Sequence, residues 1–298
     1  KCWWAGVLVN GCFKSDSIKR RSREMLVENN WSVILRCEAP QCWLKKIFKI
    51  LSIFLFCTIS AQKITSMDSL KLKDANDLFA DDYGNIYLYK NKDFSFTKYD
   101  SLGKQQGKLL LTLPFKIQSV QNPLNIPSFS ENAQELKFFD QNLNLIQTVN
   151  FRQKFGFIKE LYVEDLQQVW LLDEATRRLI QYNFRTDHII NSFSFDIDYE
   201  NVADILVFDN KFYLLTKRHF SVYDFKSKKL FESPLENGKR LRRENESILI
   251  VGKNTIQKLE NNSLITIFKA ENSQIVDKNS SAYFEIKGNK LYLYRINK

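Results

Sequence analysis

Few side chains in this sequence are of the types that do covalent or metal chemistry. There are two histidines, His188 and His219. His188 follows Asp187 in a turn between a predicted third and fourth strand, and His219 follows Lys217-Arg218 between a second and third strand. Turns of those two kinds lie at opposite ends of an antiparallel unit, so the pair does not share a metal, and a zinc site needs three or four convergent ligands. Carboxylates stand together at Asp81-Asp82 and Glu164-Asp165, with Asp209-Asn210 at a third such place. Neighbouring carboxylates suit calcium or acid–base work. These occupy equivalent turns and match no twelve-residue calcium loop, so they read as turn residues that accept backbone amides. No glycine-rich phosphate loop, H-E-x-x-H or G-x-S-x-G occurs. No catalytic residue, metal ligand or cofactor is expected on this inventory.

A basic pattern is less ordinary. The connections between predicted second and third strands carry Lys90 and Lys92, Arg177 and Arg178, Lys217 and Arg218 with His219, Lys253, then Lys287 and Lys290. One connection departs from this, with Glu131 and Glu135. The turns between first and second strands lean acidic: Asp81, Asp82, Glu164, Asp165, Asp209, Glu244 and Glu246. If the repeats close into a ring, these two sets fall on opposite faces. The expected object is a polarised disc whose basic face draws an anionic partner by long-range steering.

The elements that must position those connections recur. A short hydrophobic strand ends in a residue, usually aromatic, and then a polar one. The copies are Thr97–Asp100, Lys137–Asp140, Ile180–Asn183, Ser221–Asp224, Gln257–Glu260 and Tyr292–Arg295. From Tyr99 the mark moves on by 40, 43, 41, 36 and 35 residues. A period near forty in a strand-rich sequence marks a repeat architecture, most often a β-propeller. In the first period, strands are predicted at 77–80, 86–89, 94–100 and 108–113, with a turn at 81–85 in which Gly84 can take a positive φ. Pro123 and Pro127 should weaken the inner strands of the second period. The sixth period lacks a fourth strand, while an orphan strand is predicted at 63–70. The economical arrangement is a single all-β domain, a six-bladed β-propeller over residues 62–298. Its last blade is closed by the N-terminal strand of the mature chain, which hides two sheet edges.

Two stretches carry a family resemblance. Phe79–Leu88, followed by Phe96–Asp100 and Gly103-Lys104, resembles an NHL-type repeat, and Val163–Trp170 resembles the related repeat of sensor propellers. The likeness implies a six-bladed propeller of the NHL/TolB-like kind. Such propellers serve as binding modules, scaffolds and, in some cases, hydrolases or lactonases with a channel metal, so the resemblance does not carry a function.

Residues 44–61 have the order of an export signal. Lys45, Lys46 and Lys49 precede an apolar run at 50–59, and Ser60-Ala61 precede the expected cut before Gln62. The run is too short to span a bilayer. Cys57 follows Phe56, which does not suit lipid modification. Residues 1–43 begin with Lys1, are rich in Trp and Cys, and read as non-native upstream translation, with Leu44 or Met25 as the true start. Residues 1–62 hold ten Lys and Arg against four Asp and Glu, so the remainder carries a net charge of +4 where the whole chain carries +10. All five cysteines also precede residue 62. The mature chain therefore has no disulfide framework and must be held by core burial.

The expectation is an exported, monomeric, non-enzymatic binding or scaffold propeller of a Gram-negative periplasm or cell surface. Its partner is a protein or an anionic glycan, it binds no nucleic acid, and it does not span the membrane after signal cleavage. The competing expectation is a metal-dependent propeller hydrolase or lactonase with its site in the central channel. An apolar channel would favour the scaffold, and convergent carboxylates the enzyme.

Overall fold

A computed structural model describes residues 61–63, 72–273 and 275–296. All described residues belong to one compact unit. The segments expected as upstream translation and export signal lie outside the described residues, apart from Ala61.

The described residues form twenty-four strands in six antiparallel sheets of four. Strand β1 is Ala61–Lys63. Blade one follows with β2 (Asp77–Ala80), β3 (Ile86–Lys90), β4 (Ser95–Tyr99) and β5 (Gln105–Leu110). Blade two has β6 (Lys116–Ile117), β7 (Ile126–Ser130), β8 (Glu135–Phe139) and β9 (Leu145–Asn150). Blade three has β10 (Ile158–Val163), β11 (Gln168–Asp173), β12 (Arg178–Asn183) and β13 (His188–Ser194). Blade four has β14 (Val202–Phe208), β15 (Lys211–Thr216), β16 (His219–Asp224) and β17 (Lys229–Pro234). Blade five has β18 (Gly238–Glu244), β19 (Ser247–Gly252), β20 (Thr255–Glu260) and β21 (Ser263–Lys269). Blade six has β22 (Ile275–Lys278), β23 (Ala282–Lys287) and β24 (Lys290–Arg295), and takes β1 as its fourth strand. The all-β six-bladed propeller is therefore the observed fold.

The clasp exists but is displaced along the chain. Ala61, Gln62 and Lys63 pair with Tyr294, Leu293 and Tyr292. The expected strand at 63–70 shares only Lys63 with it, and residues 64–71 lie outside the described residues. The pairing begins at Ala61, the residue placed last in the expected leader.

The repeated aromatic–polar mark has a physical meaning. Every copy ends the third strand of its blade. Tyr99, Phe139 and Tyr182 are buried in the apolar clusters between blades. The polar residue after them closes the turn to the fourth strand. Asp100 Oδ1 accepts the amides of Leu102 and Lys104, Asp140 Oδ1 those of Asn142 and Asn144, and Asp224 Oδ1 those of Lys226 and Lys228. Asn183 Oδ1 does the same for Arg185 and Thr186. An acceptor at this place satisfies turn donors that a strand ladder cannot reach.

Burial follows blade order. One apolar cluster lies at each of the six interfaces between neighbouring blades, including the interface of blade six with blade one. That closing cluster joins Leu78, Ala80, Ile86 and Leu88 to Ile275, Phe284, Ile286 and Leu291. The interface of blades five and six is the leanest, with Val251, Ile256, Ala270 and Val276 at its buried centre. In blade two β6 is reduced to Lys116-Ile117, as expected of a weakened inner strand, but Pro127 sits in a full-length second strand that pairs with both neighbours without a register shift. The outer strands are mostly exposed, as β5 and β9 show, because they stand at the rim with no strand beyond them. No helix among the described residues is long and apolar enough to cross a membrane.

Candidate functional site

The basic connections fall together at one end of the blades. Lys92, Arg177, Arg178, Lys217, Arg218, His219, Lys253, Lys287 and Lys290 are exposed, and Lys90 is half-buried. Each stands between the second and third strand of its blade or at the adjoining strand end. Among the described residues, Arg177 alone of this set forms an ion pair, with Asp196. Asp196 comes from the connection of blade three to blade four, which reaches the same end of the ring. Asp198, Glu200, Glu236 and Glu271 come from connections of that kind, so this end also carries acidic side chains. The histidines are apart: His188 opens the fourth strand of blade three and His219 opens the third strand of blade four, at opposite ends. His188 Nδ1 lies 2.8 Å from the Thr186 hydroxyl.

The acidic turns behave as turn chemistry. Asp81 Oδ1 accepts the amides of Tyr83 and Asn85, and Asp165 Oδ1 those of Gln167 and Gln168. Asp209 and Asn210 take φ of 50° and 54°, the two-residue hairpin geometry that Asp and Asn tolerate.

The centre of the ring holds a charged constellation that sequence reasoning missed. Each first strand contributes a charge: Asp77, Lys116, Glu160, Asp204, Arg240 and Asp277. Lys116 Nζ donates to Glu160 Oε2 at 2.6 Å, to Asp204 Oδ1 at 2.7 Å and to the Ala203 carbonyl at 2.9 Å. Arg240 Nη1 donates to both Asp77 oxygens at 2.8 Å, and Arg240 Nη2 lies 2.8 Å from Asp277 Oδ1. In each case a cation reaches the carboxylates of the next two blades around the ring.

Local backbone geometry aims these side chains inward. In blades three, four and five the register slips by one residue at Lys159, Ala203 and Lys239. The residue after each bulge is Glu160, Asp204 or Arg240. A bulge re-aims the following side chain at the cost of one ladder bond. Glu160 and Asp204 then accept the amide of their own successor, Leu161 or Ile205, and Asp77 accepts that of Leu78. The carboxylates also join blades: Asp277 Oδ2 accepts the Ala80 amide at 2.8 Å, and Asp204 Oδ2 accepts the Leu241 amide at 2.6 Å.

Burial and pairing contend at these groups. Burial opposes the charge on Lys116, but Asp204 and Glu160 outweigh it and hold the ammonium above the ordinary lysine range. Arg240 is held charged in the same way by Asp77 and Asp277. Burial raises the Glu160 carboxyl, with Lys116 pulling the other way. At the lean interface of blades five and six, Arg242 donates through Nη1 to the Lys278 carbonyl, and Lys278 Nζ donates to Glu244.

The channel is thus neither apolar nor an open carboxylate cage. Its carboxylates converge, yet their oxygens serve cations and backbone amides. Among the described residues no group of three or more His, Cys, Asp or Glu is disposed to hold a metal ion. The donor set does not fit the channel metal of the competing hydrolase expectation.

Above this layer the channel opens into a cavity of about 570 Å³ at the end carrying the first-to-second-strand turns. Phe79 of blade one, Tyr162 of blade three and Leu206 of blade four give it apolar lining, and Gln118, Arg242 and Asp277 are among its polar lining. Gln121 Nε2 crosses the mouth from blade two to donate to the Arg243 carbonyl of blade five at 2.8 Å. At the other end a smaller cavity of about 260 Å³ is lined by Tyr89, Phe115, Lys116 and Glu160 among others.

A signal for the constellation was present. The charges at 77, 116, 160, 204, 240 and 277 advance by 39, 44, 44, 36 and 37 residues. They track the aromatic–polar mark, but charged neighbours such as Lys159, Lys239 and Lys278 obscure the pattern at Glu160, Arg240 and Asp277.

No family model matches the chain and no curated protein matches it. Solved structures do resemble it. The virginiamycin B lyase from Staphylococcus aureus is 8% identical, with a TM-score of 0.48 over 80% of this chain and 99% of that one. A streptogramin B lyase is 10% identical, with a TM-score of 0.46 over 80% of this chain and 97% of that one. BamB from Moraxella catarrhalis is 10% identical, with a TM-score of 0.42 over 74% of this chain and 84% of that one. Likenesses of this depth say nothing about what the chain binds or catalyses.

Proposed function

We propose that this chain is an exported, monomeric, non-enzymatic binding propeller of a Gram-negative envelope. It holds an anionic partner, an envelope glycan or an acidic protein surface, against the end carrying the second-to-third-strand connections. The observation that carries this reading is the set of exposed cations there. Lys92, Lys217, Arg218, Lys253, Lys287 and Lys290 have no ion-pair partner among the described residues. Cations left unpaired across several blades of a rigid ring present a multivalent field that steers an anionic surface. The channel charges, in contrast, are spent on one another, which suits a structural hub.

Binding of heparin, as an acidic polysaccharide, and of phosphatidylglycerol vesicles tests the reading. Replacing Arg177, Arg178, Lys217 and Arg218 together by Ala is expected to weaken binding by tenfold or more and to flatten its salt dependence. Unchanged binding by the quadruple variant sinks the proposal.

A further inference from the structure

The cavity at the opposite end of the channel has its own chemistry. Four carboxylates line it, and each is engaged. Asp204 serves Lys116 and Leu241, and Asp277 serves Arg240 and Ala80. Glu164 Oε2 accepts from the Trp170 indole and from Gln181, and Asp165 accepts turn amides. Of the blade-five arginines, Arg240 is committed to Asp77 and Asp277, and Arg242 and Arg243 are less so. Arg242 is 7% exposed; its Nε faces Glu244 at 3.0 Å, and its Nη1 serves the Lys278 carbonyl and lies 3.8 Å from Asp277 Oδ1. Its Nη2 has no hydrogen-bond partner among the described residues. Arg243 donates through Nε to the Asn245 carbonyl, and its guanidinium rests 3.7 Å from the centre of the Phe208 ring. It has no carboxylate partner among the described residues. It also lies beside the Tyr162 hydroxyl, which burial raises above the usual phenol range while Arg243 pulls it back.

Two guanidinium groups with donors in hand thus line the cavity together with the apolar side chains of Phe79, Tyr162 and Leu206. A cavity of about 570 Å³ is of the size that encloses a small ligand. We propose that this cavity binds an apolar carboxylic acid, with the carboxylate on Arg242 and Arg243 and the apolar body against Phe79, Tyr162 and Leu206. A planar guanidinium recognises a carboxylate through parallel charge-assisted bonds, which a neutral amide cannot reproduce. The same chemistry is offered by a free small acid and by the C-terminal residue of a peptide. This site is separate from the basic end described above, and the two stand or fall independently.

Calorimetric titration of the full chain tests the assignment with N-acetyl-L-phenylalanine and a pentapeptide ending in phenylalanine, each beside its C-terminal amide. At least one acid is expected to bind about tenfold more tightly than its amide, a difference of about 1.4 kcal/mol. Binding of the small acid identifies a free ligand as sufficient, and binding of the peptide acid alone identifies a chain terminus. Arg243 is exposed, so Arg243→Gln should fold and should weaken the acid at least tenfold; Arg242→Lys, checked by thermal unfolding, should do the same. Equal affinity for acid and amide, an Arg243→Gln variant that binds unchanged, or no binding of either acid at millimolar concentration overturns the assignment.

Discussion

Lys116 and Arg240 occupy the same position in the first strands of blades two and five, each opposite the penultimate residue of its neighbouring strand. The two blades are three apart in a ring of six. Each cation reaches the carboxylates of the two blades that follow it, Lys116 to Glu160 and Asp204, Arg240 to Asp277 and Asp77. The ring is therefore divided into two three-blade ionic units, joined where the Leu241 amide of blade five donates to Asp204 of blade four.

Removing one cation should expose this dependence. Lys116→Met leaves two buried carboxylates without their counter-charge and is expected to cost roughly 3 kcal/mol at neutral pH. The deficit should shrink in acid. Glu160 is already raised by burial, and without Lys116 it rises further, so the native state binds its proton more tightly than the unfolded chain does. Stability of the variant then increases as pH falls toward that native value. Urea unfolding at pH 7 and pH 5 checks the sign, and Lys116→Met with Glu160→Gln should recover part of the loss.

In the unaltered protein the same pair sets an alkaline limit. Lys116 has a native pKa above its unfolded value, so its contribution is complete below the ordinary lysine range and is lost only as pH rises through the native value. Denaturant midpoints should be insensitive to this group across neutral pH and decline only in strong alkali. A decline already beginning near pH 8 would contradict the pairing.

Asp277 ties closure to the ionic network. It is 1% exposed, accepts the Ala80 amide and faces Arg240. Asp277→Ala should cost about 3 kcal/mol, because it takes one of two carboxylates from the buried Arg240 guanidinium and leaves the Ala80 amide without its acceptor. Hydrogen exchange should quicken at Ala80 before it quickens in the middle of blade three.

The clasp should matter as much as a core element. Deleting Ala61–Lys63 uncovers the edge of β24 and removes the fourth strand of the closing blade. The expected result is a lower unfolding temperature and self-association in size-exclusion chromatography. A deletion variant indistinguishable from the parent would mean that the ring holds without its clasp.

Gly156 offers a steric check on the interface of blades two and three. A Cβ there would lie 2.4 Å from the Ala175 Cβ. Gly156→Ala should cost about 1–3 kcal/mol, and Ala175→Gly in the same chain should return most of it, a coupling that equilibrium unfolding can measure.

The sequence by itself determined the repeat, the blade count and the need for a closing strand. Those follow from local rules: an aromatic such as Tyr99 must be buried, and an acceptor such as Asp100 must answer the amides of the next turn. Both recur at a period that any chain of such blades must show. It also placed the basic side chains from Lys90 to Lys290 on connections of one kind, because strand alternation alone assigns a turn to an end of its sheet. Only the tertiary structure decided which charges meet. Asp77 and Arg240 are 163 residues apart in sequence and 2.8 Å apart in space, and no local rule links them. The one-residue bulges before Glu160, Asp204 and Arg240 turn those side chains into the channel, and a bulge leaves no mark in the hydrophobic pattern. Strand closure likewise chose Ala61–Lys63, since pairing with β24 depends on where the ring brings the segment before blade one against blade six.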